Sequence, residues 1–279
     1  MSAADQLLVV IDPVARRIDG ESVRIAKDVL CAGAQAKICW PEGVEEFSRA
    51  LSRRGSRRPV VVGDDRALLR TVTLLQQERD LAGLALSMVP VGTAPSLELA
   101  RSLGVPTGAV AAARAVLEGE PRRLDLLVDD CGGVVLGGVR VEAPSVPAPS
   151  GPTVWGACRS LVRNLVGAPG RASVAAFRLR VEVDGVLLAD EPLTGVSASA
   201  SSGFARVVVE GRGRVCAEAG RMVTVSVSGC LPPGDGGEGF RYRADQVVTG
   251  PVRSRTWTVG VDGWTLTLPR EVGPTPPLP

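Results

Sequence analysis

The sequence changes its hydrophobic periodicity once, near residue 123, and this change restricts the fold more than any other feature. Up to residue 122, short apolar runs alternate with segments in which apolar residues recur at helical spacing. Strands separated by helices of roughly ten to fifteen residues are typical of βαβ units, so residues 1–122 predict an α/β domain with a parallel sheet. The predicted strands are 7–11, 36–40, 60–62 and 84–89, and the predicted helices are 21–32, 43–52 and 68–81.

Beyond residue 122, apolar and polar residues alternate, which is the pattern of half-buried β-strands. Residues 123–279 therefore predict a second, antiparallel β domain, and we leave open that its last residues pack back on the first. Asp184-Gly185 and Asp262-Gly263 predict hairpin turns, and a cleft between the domains is the expected substrate site. The predicted strands are 124–128, 134–141, 177–183, 186–189, 207–210, 223–228, 256–261 and 264–268, with a linker at 143–152, a helix at 154–166 and a mobile loop at 231–239.

Missing residue types exclude several classes of chemistry. The chain has no histidine, which excludes Ser-His-Asp and Cys-His catalysis and imidazole metal sites. Its lysines are Lys27 and Lys37, and neither lies in a Walker-type loop, so P-loop NTP chemistry is also excluded. The six cysteines form no CxxC pair, which argues against a zinc site or a disulfide framework.

Charge and hydropathy limit the kinds of partner and the cellular location that we expect for this chain. The net charge of +2 is spread along the chain, unlike the basic face of a nucleic-acid-binding protein, so we predict no nucleic-acid partner. No apolar run reaches the roughly 18 residues that a membrane span requires. The N-terminus lacks the basic region of a signal peptide. We therefore expect a cytoplasmic protein.

The loops that follow the strands at 7–11, 60–62 and 84–89 are the expected ligand site, because parallel sheets bind ligands at the carboxyl ends of their strands. The aspartates of these loops could bind Mg²⁺ or cap the next helix. The arginines could hold an anion or face solvent, and the glycines could admit a ligand or form plain turns. The candidates are Asp12, Arg16, Arg17, Gly63, Asp64, Asp65, Arg66, Gly92 and Thr93.

Several motifs in these loops and beyond them occur in the order of one known family. The sequence V-G-D-D-R-A at 62–67 is similar to GGDGT, P-V-G-T at 90–93 to P-x-G-T, and A-R-S-L-G-V-P at 100–106 to A-R-x-L-G-I-P. Residues 119–127, the helix at 154–166 and V-D-G-W at 261–264 continue the match. Together they resemble the diacylglycerol kinase and sphingosine kinase superfamily over most of the chain.

The resemblance implies an α/β domain of the NAD kinase and diacylglycerol kinase type, followed by an antiparallel β-sandwich for the lipid. It also implies transfer of the γ-phosphoryl group of ATP to a lipid hydroxyl, with ATP and Mg²⁺ as cofactors. In that scheme Asp65 contacts the metal, Asp262 is the catalytic general base, and Gly63, Gly92 and Thr93 contact the nucleotide. The alternative is that Asp262 has no catalytic role and forms part of the hairpin turn that Asp-Gly usually makes.

The departures from the family motifs fall on the nucleotide machinery. Asp64, Arg66 and Ala67 stand where the family has two glycines and a threonine, and Trp264 replaces a glutamate. An added carboxylate repels a triphosphate by about 1–4 kcal/mol, and the lost glycines favour a helix-capping role for Asp64 and Asp65. We therefore expect a pseudokinase that binds a nucleotide-like or other anionic small molecule in the interdomain cleft and acts by regulation. The alternatives are an active lipid kinase and a structural paralogue with an empty cleft.

The partners expected from the sequence are small molecules, either nucleotide-like or lipid. A peripheral contact with an anionic membrane through Arg53, Arg54, Arg57 and Arg58 is weighed against a solvated loop, which we favour. A homodimer is left open. For Trp264, we expect core packing in preference to a place in the cleft.

Overall fold

The computed structural model describes residues 6–142, 177–211, 214–228 and 239–270. The predicted linker at 143–152 and helix at 154–166 lie outside these residues, as does the predicted loop at 231–239 except for its last residue. The helices are α1 (Pro13–Ile18), α2 (Gly20–Gly33), α3 (Val44–Ser52), α4 (Asp65–Gln77), α5 (Glu98–Ser102) and α6 (Ala109–Glu118), with 3₁₀ turns at Leu81–Gly83 and Ala94–Leu97. The strands are β1 (Gln6–Ile11), β2 (Gln35–Cys39), β3 (Arg58–Gly63), β4 (Ala85–Pro90), β5 (Glu120–Asp129), β6 (Val134–Val135), β7 (Val139–Glu142), β8 (Phe177–Val183), β9 (Val186–Ser201), β10 (Phe204–Gly211), β11 (Val215–Gly220), β12 (Met222–Val227), β13 (Phe240–Ala244), β14 (Val247–Val252) and β15 (Ser254–Leu268).

The first half of the chain forms a parallel sheet in the strand order β4-β3-β1-β2. β1, β3 and β4 are buried on both faces, which explains why they carry continuous apolar runs and no alternation. α2 and α6 pack on one face of this sheet, and α3 and α4 pack on the other. The predicted α/β fold of the first half is confirmed, and the boundary at residue 122 stays a prediction.

The second half consists of antiparallel strands that pack into a β-sandwich around a core of their own. Phe240, Tyr242 and Trp257 are its aromatic members, and the rings of Tyr242 and Trp257 meet edge to face with centroids 5.2 Å apart. The hairpin predicted at Asp184-Gly185 joins β8 to β9 as expected. The predicted β-sandwich is confirmed.

Strand β15 joins the two halves. It pairs antiparallel with β12 and β5 of the second half, and its residues Thr265 and Leu266 run parallel to Ala85 and Leu86 of β4. Trp264 and Leu266 are fully buried in the same apolar core as the inner faces of α3 and α4. The last described strand thus packs on the first domain, and the two halves share this core, whereas the sandwich keeps its own.

The hairpin predicted at Asp262-Gly263 is wrong. The two runs that it was expected to separate belong to the single strand β15, which pairs with β5 on both sides of an irregularity between Gly260 and Trp264. Asp262 has a φ of 49°, in the left-handed region. An Asp-Gly pair can supply this conformation to a tight turn or to a β-bulge, and here it forms a bulge.

In the arginine-rich loop before β3, two of the four arginines form contacts inside the protein. Arg54 is buried and forms ion pairs with Glu78, at 2.9 Å, and with Asp80. Arg58 reaches inward and donates a hydrogen bond to Ser87 Oγ at 3.2 Å. Membrane contact through this group stays a prediction, but two of its four arginines are already bonded inside the protein.

The shared core can be tested with two substitutions on one strand. Trp264 is fully buried, whereas Val261, three residues earlier on β15, is 49% exposed. We expect Trp264→Ala to lower the free energy of unfolding by about 3–5 kcal/mol, because it leaves a large cavity in the core. Val261→Ala should change it by no more than about 0.5 kcal/mol. Urea denaturation followed by circular dichroism measures both, and equal effects would contradict the shared core.

Candidate functional site

The carboxyl ends of β1, β3 and β4 bring residues of three separate loops together. Asp12 follows β1, Gly63 ends β3, and Gly92 lies two residues beyond β4. A Cβ added to Gly63 would lie 3.0 Å from the Cβ of Asp12, and one added to Gly92 would lie 3.3 Å from the Cβ of Asp64. These predicted residues therefore meet at the sheet edge where α/β folds place their ligands.

Asp12 is buried and uses both carboxylate oxygens. Its Oδ1 accepts a hydrogen bond from the backbone N–H of Val14 at 2.7 Å, at the start of α1. Its Oδ2 forms an ion pair with Arg70 of α4 at 3.0 Å. The guanidinium of Arg70 also lies 5.4 Å from the ring centroid of Phe47. Asp12 thus caps one helix and ties the end of β1 to another.

Asp64 and Asp65 cap two further helices. Asp64 Oδ1 accepts a hydrogen bond from the N–H of Ala67 at 3.1 Å, in the first turn of α4. Asp65 is fully buried, and its two oxygens accept hydrogen bonds from the N–H groups of Leu99 and Ala100 at 2.8 and 2.9 Å, at the start of α5. Both aspartates thus bond to helix starts, as the capping interpretation of the sequence expected. Asp64 caps α4, whereas Asp65 lies at the start of α4 but bonds to the start of α5.

Asp65 also carries a contact between the two halves. Gln246, in the turn after β13, donates from Nε2 to Asp65 Oδ2 at 2.8 Å and to the carbonyl of Pro95 at 3.0 Å. Burial raises the pKa of Asp65, and the nearby charges of Asp64 and Asp245 act in the same direction, whereas its two backbone hydrogen bonds oppose the shift. The carboxylate is therefore a structural link with a raised pKa.

The glycines of the two loops are covered by the protein itself. A Cβ on Gly63 would lie 2.7 Å from the Cβ of Ala67, and a Cβ on Gly92 would lie 2.5 Å from Ser96 Oγ. The separation at Gly63 is too short for a side chain, so this position requires glycine, whereas at Gly92 a larger residue would require Ser96 to rotate. The space that a glycine leaves open beside its backbone is therefore filled by side chains of this protein and not left for a ligand.

The carboxylates at this edge do not fit a Mg²⁺ site. Mg²⁺ requires near-octahedral oxygen ligands, usually one or two carboxylates together with water. Asp12 is neutralised by Arg70, Asp64 caps α4, and both oxygens of Asp65 accept N–H groups. The metal role of Asp65 stays a prediction, and its three hydrogen bonds count against it.

The remaining predicted ligand residues lie on the surface. Arg16 and Arg17 are exposed in the last turn of α1, and the guanidinium of Arg16 is 6.0 Å from the ring centroid of Trp40. Thr93 is exposed beyond β4. Arg66 is exposed on the first turn of α4, where it lines a cleft.

This cleft, of about 540 Å³, lies between α4 and the β-rich half of the protein. Arg66 and Arg70 line one wall, and Tyr242, Val247 and Arg255 line the other. The guanidinium of Arg255 lies 5.9 Å from the ring centroid of Tyr242. Much of the remaining lining is apolar, including Leu69, Val134 and Val135. The cleft thus combines arginines and apolar walls with two aspartates, Asp129 and Asp245.

Asp262 lies in a different cavity, of about 460 Å³. Its N–H donates to Asp125 Oδ1 at 2.9 Å, and Asp125 Oδ2 accepts the N–H of Gly203 at 2.7 Å. The Asp262 carboxylate is 53% exposed and lies 3.8 Å from Arg123. None of the predicted strand-end residues lines this cavity, so it does not bring the predicted base to the predicted nucleotide residues. The role of Asp262 as general base stays a prediction.

Two residues that hold this site together were missed by the sequence analysis: Arg70 and Gln246. Arg70 had a usable signal, because it lies one helical turn from Arg66 on the same face of α4. Gln246 had none, because its partner Asp65 is 181 residues away along the chain. Asp125 lies in the segment 119–127 that resembles the family, but its hydrogen bond to Asp262, 137 residues away, was not predicted.

Known proteins match this chain in structure but not in sequence. No protein-family model and no curated protein sequence matches it. The structure of a diacylglycerol kinase from Bacillus anthracis str. Sterne matches with a TM-score of 0.71 and 13% identity, over 98% of this chain and 99% of that chain. The chain has a diacylglycerol-kinase-like fold. Yeast NADH kinase complexed with NADH matches with a TM-score of 0.52 and 9% identity, over 98% of this chain and 85% of that chain.

The diacylglycerol-kinase-like fold confirms the resemblance that the sequence motifs indicated. The match extends over both halves, so the order of α/β domain and β-sandwich is shared as well. At identities of 9–13%, these matches show a shared fold and do not show shared site residues. The roles of the site residues are therefore inferred from the contacts in this structure. Within the part of the chain that the structure describes, none of the helices combines the length and apolarity needed to cross a membrane.

The raised pKa of Asp65 has a testable consequence for stability. In the unfolded chain Asp65 ionises near its ordinary pKa of 3.8, whereas the buried carboxyl holds its proton to higher pH. We expect the stability advantage of the wild type over Asp65→Asn to be largest below this value and to fall as pH rises through the folded pKa. Urea unfolding of both proteins across a pH series measures the difference, in which the shared titration of Asp245 cancels. An advantage that grows with pH would show that the hydrogen bonds to the ionised form outweigh burial.

Proposed function

We propose that this chain is a pseudokinase, a non-catalytic protein with a diacylglycerol-kinase-like fold that binds a nucleotide-like or other anionic small molecule in the interdomain cleft and acts by regulation. One observation carries the proposal: N–H groups at the starts of α1, α4 and α5 are bonded to Asp12, Asp64 and Asp65. Helix N-termini at the carboxyl edge of a parallel sheet are the groups that bind phosphates in such folds. Here carboxylates of the protein occupy those donors.

Charge supports the same conclusion. A triphosphate at this edge would meet the partly exposed carboxylate of Asp64, whereas Asp12 is neutralised by an arginine and Asp65 is fully buried. Two like charges 4 Å apart repel by about 1 kcal/mol in water and by about 4 kcal/mol near a protein surface. Each carboxylate would also have to release its N–H partners before phosphate could use them. Both effects weaken ATP binding at the strand ends.

The cleft beside α4 is the better place for a ligand. Arg70 and Arg255 are committed to ion pairs with aspartates, whereas Arg66 has no ionic partner among the described residues. Arg66 lines the cleft together with apolar side chains such as Leu69 and Val134. An anionic group can bind the free guanidinium while the rest of the ligand packs on the apolar wall.

The loss of ATP binding can be tested directly. We expect isothermal titration of the wild type with ATP and Mg²⁺ to show no saturable binding, and a radiolabel assay on mixed lipids to show no phosphoryl transfer. In the variant Asp64→Gly, removal of the added carboxylate should raise ATP affinity at least about tenfold, as expected for about 1.4 kcal/mol of relieved repulsion. The variant Asp28→Gly, which removes an exposed carboxylate of α2, is the matched control. Tight ATP binding by the wild type would contradict the proposal.

An active lipid kinase dependent on ATP and Mg²⁺ is the second candidate, and one observation favours it. Asp262 keeps an exposed carboxylate in a cavity, with its backbone fixed by Asp125, which a general base requires. Phosphoryl transfer by the wild type that disappears in Asp262→Asn, with stability unchanged, would establish this candidate and overturn the non-catalytic one.

The proposed ligand site is tested by thermal shift with AMP and a short-chain phosphatidate as probes. We expect at least one probe to raise the melting temperature, by about 2–4 °C for each kcal/mol of binding energy in a chain of this size. The variant Arg66→Gln should lose this shift, because it removes the free guanidinium, and Arg17→Gln should keep it. A melting temperature that no probe moves would count against an anionic ligand in the cleft.

A further inference from the structure

Two arginines stand directly opposite each other on the outer face of the β-sandwich. Arg243 of β13 is the register partner of Arg140 of β7, and Arg140 is in turn the partner of Ser197 of β9. Both arginines are exposed, whereas Tyr242 and Val141, their neighbours along the strands, are buried in the core. The alternation fixes both guanidinium groups on the solvent side of the sheet.

A third arginine lies on the same face. Arg206 of β10 is exposed and pairs in register with Ser199 of β9, two residues along from Ser197. Since neighbouring strands are about 4.8 Å apart and Arg206 lies two residues further along, the backbones of Arg140 and Arg206 are about 12 Å apart. Long arginine side chains span this distance, so the three guanidinium groups can converge on one point above β9.

This arrangement costs stability in the free protein. Like charges directly opposite across two strands are destabilising, and favourable cross-strand pairs carry opposite charges or apolar groups. Arg140 lies 4.0 Å from Glu210. Arg206 and Arg243 have no ionic partner among the described residues. The face therefore carries more positive charge than its own acidic groups offset.

The acidic group next to these arginines is already bonded. Asp245 accepts hydrogen bonds from the N–H groups of Leu136, Gly137 and Gly138 at 3.0, 2.6 and 3.0 Å. These bonds hold its carboxylate against the backbone, so it does not form an ion pair with Arg243. Arg206 and Arg243 are therefore left without an acidic partner among the described residues.

The arginines surround a concavity of about 410 Å³. Its floor contains Gly137, Gly138, Ser197 and Ser199, and Asp245 lines it as well, with its carboxylate bonded to the N–H groups of the two glycines. Two arginines without an ionic partner, together with Arg140, outnumber this carboxylate in the lining. A Cβ on Gly138 would lie 2.9 Å from the carbonyl oxygen of Ala198, so a larger residue is not tolerated there and the floor stays low. Arginine forks and serine hydroxyls around a small-residue floor are the groups that bind a tetrahedral oxyanion.

We propose that this concavity is a binding site for a phosphate group, held by Arg140, Arg206 and Arg243. It is separate from the interdomain cleft, because Tyr242 lines the cleft from one face of β13 while Arg243 points to the other face. The proposal does not depend on the function proposed above. The phosphate belongs either to a soluble phosphorylated compound or to the headgroup of an anionic lipid, since both present the same oxyanion to the arginines.

The test uses the full chain and the double variant Arg206→Gln/Arg243→Gln, which leaves Arg140 and its contact with Glu210 in place. The control is Arg221→Gln, an exposed arginine in the turn before β12. Inorganic phosphate is titrated calorimetrically, and sedimentation is measured with phosphatidylcholine vesicles that contain or lack phosphatidate. We expect the wild type and the control to bind a phosphate probe, and the double variant to bind it at least about tenfold more weakly.

Melting temperature gives an independent readout. In phosphate-free buffer the double variant should melt above the wild type, because the opposed charges are gone, and saturating phosphate should reverse this order. Binding of free phosphate that also releases the vesicles assigns the site to soluble phosphates. Binding of phosphatidate vesicles alone assigns it to lipid headgroups. The proposal is overturned if no probe binds, or if the double variant and the control bind every probe equally.

Discussion

The hydrogen bonds between three aspartates and the starts of three helices determine what the carboxyl edge of the parallel sheet can do. Asp12, Asp64 and Asp65 place carboxylates on backbone N–H groups of α1, α4 and α5. A helix N-terminus attracts a negative charge whether a ligand or the protein supplies it. Because the protein supplies it here, the edge is stable without a ligand, and an incoming phosphate must displace a bonded carboxylate as well as overcome its repulsion.

The same edge is coupled to the β-rich half, so the cleft between the halves has a fixed geometry. Asp65 accepts a hydrogen bond from Gln246, and strand β15 runs from the β-sandwich into the parallel sheet beside β4. Trp264 fills the core at this junction, where the sequence motif of the resembling family has a glutamate. The burial of this large side chain strengthens the contact between the halves.

The fold was largely predictable from the sequence, and the site was predictable only in part. Hydrophobic periodicity reports the burial of each strand, so it located β1, β3 and β4 and the change to antiparallel strands. It failed at Asp262, because an Asp-Gly pair favours a left-handed residue without specifying whether a turn or a bulge follows. The partners of the site aspartates were beyond local reasoning: Arg70 pairs with Asp12 across 58 residues and Gln246 with Asp65 across 181.

The two charged regions of this protein differ in whether their charges are already bonded. The aspartates at the strand ends accept hydrogen bonds from the backbone, and one forms an ion pair, so their oxygens are already bonded within the fold. Arg243 and Arg206 on the outer sheet face arginine or serine across the strands, and neither has an ionic partner among the described residues. A polar group contributes to binding when it exchanges water for a ligand, and not when it must first break a bond inside the protein. The positions of the sequence motifs predict an anion site at the strand ends, whereas the state of the hydrogen bonds and ion pairs favours the arginines on the outer sheet.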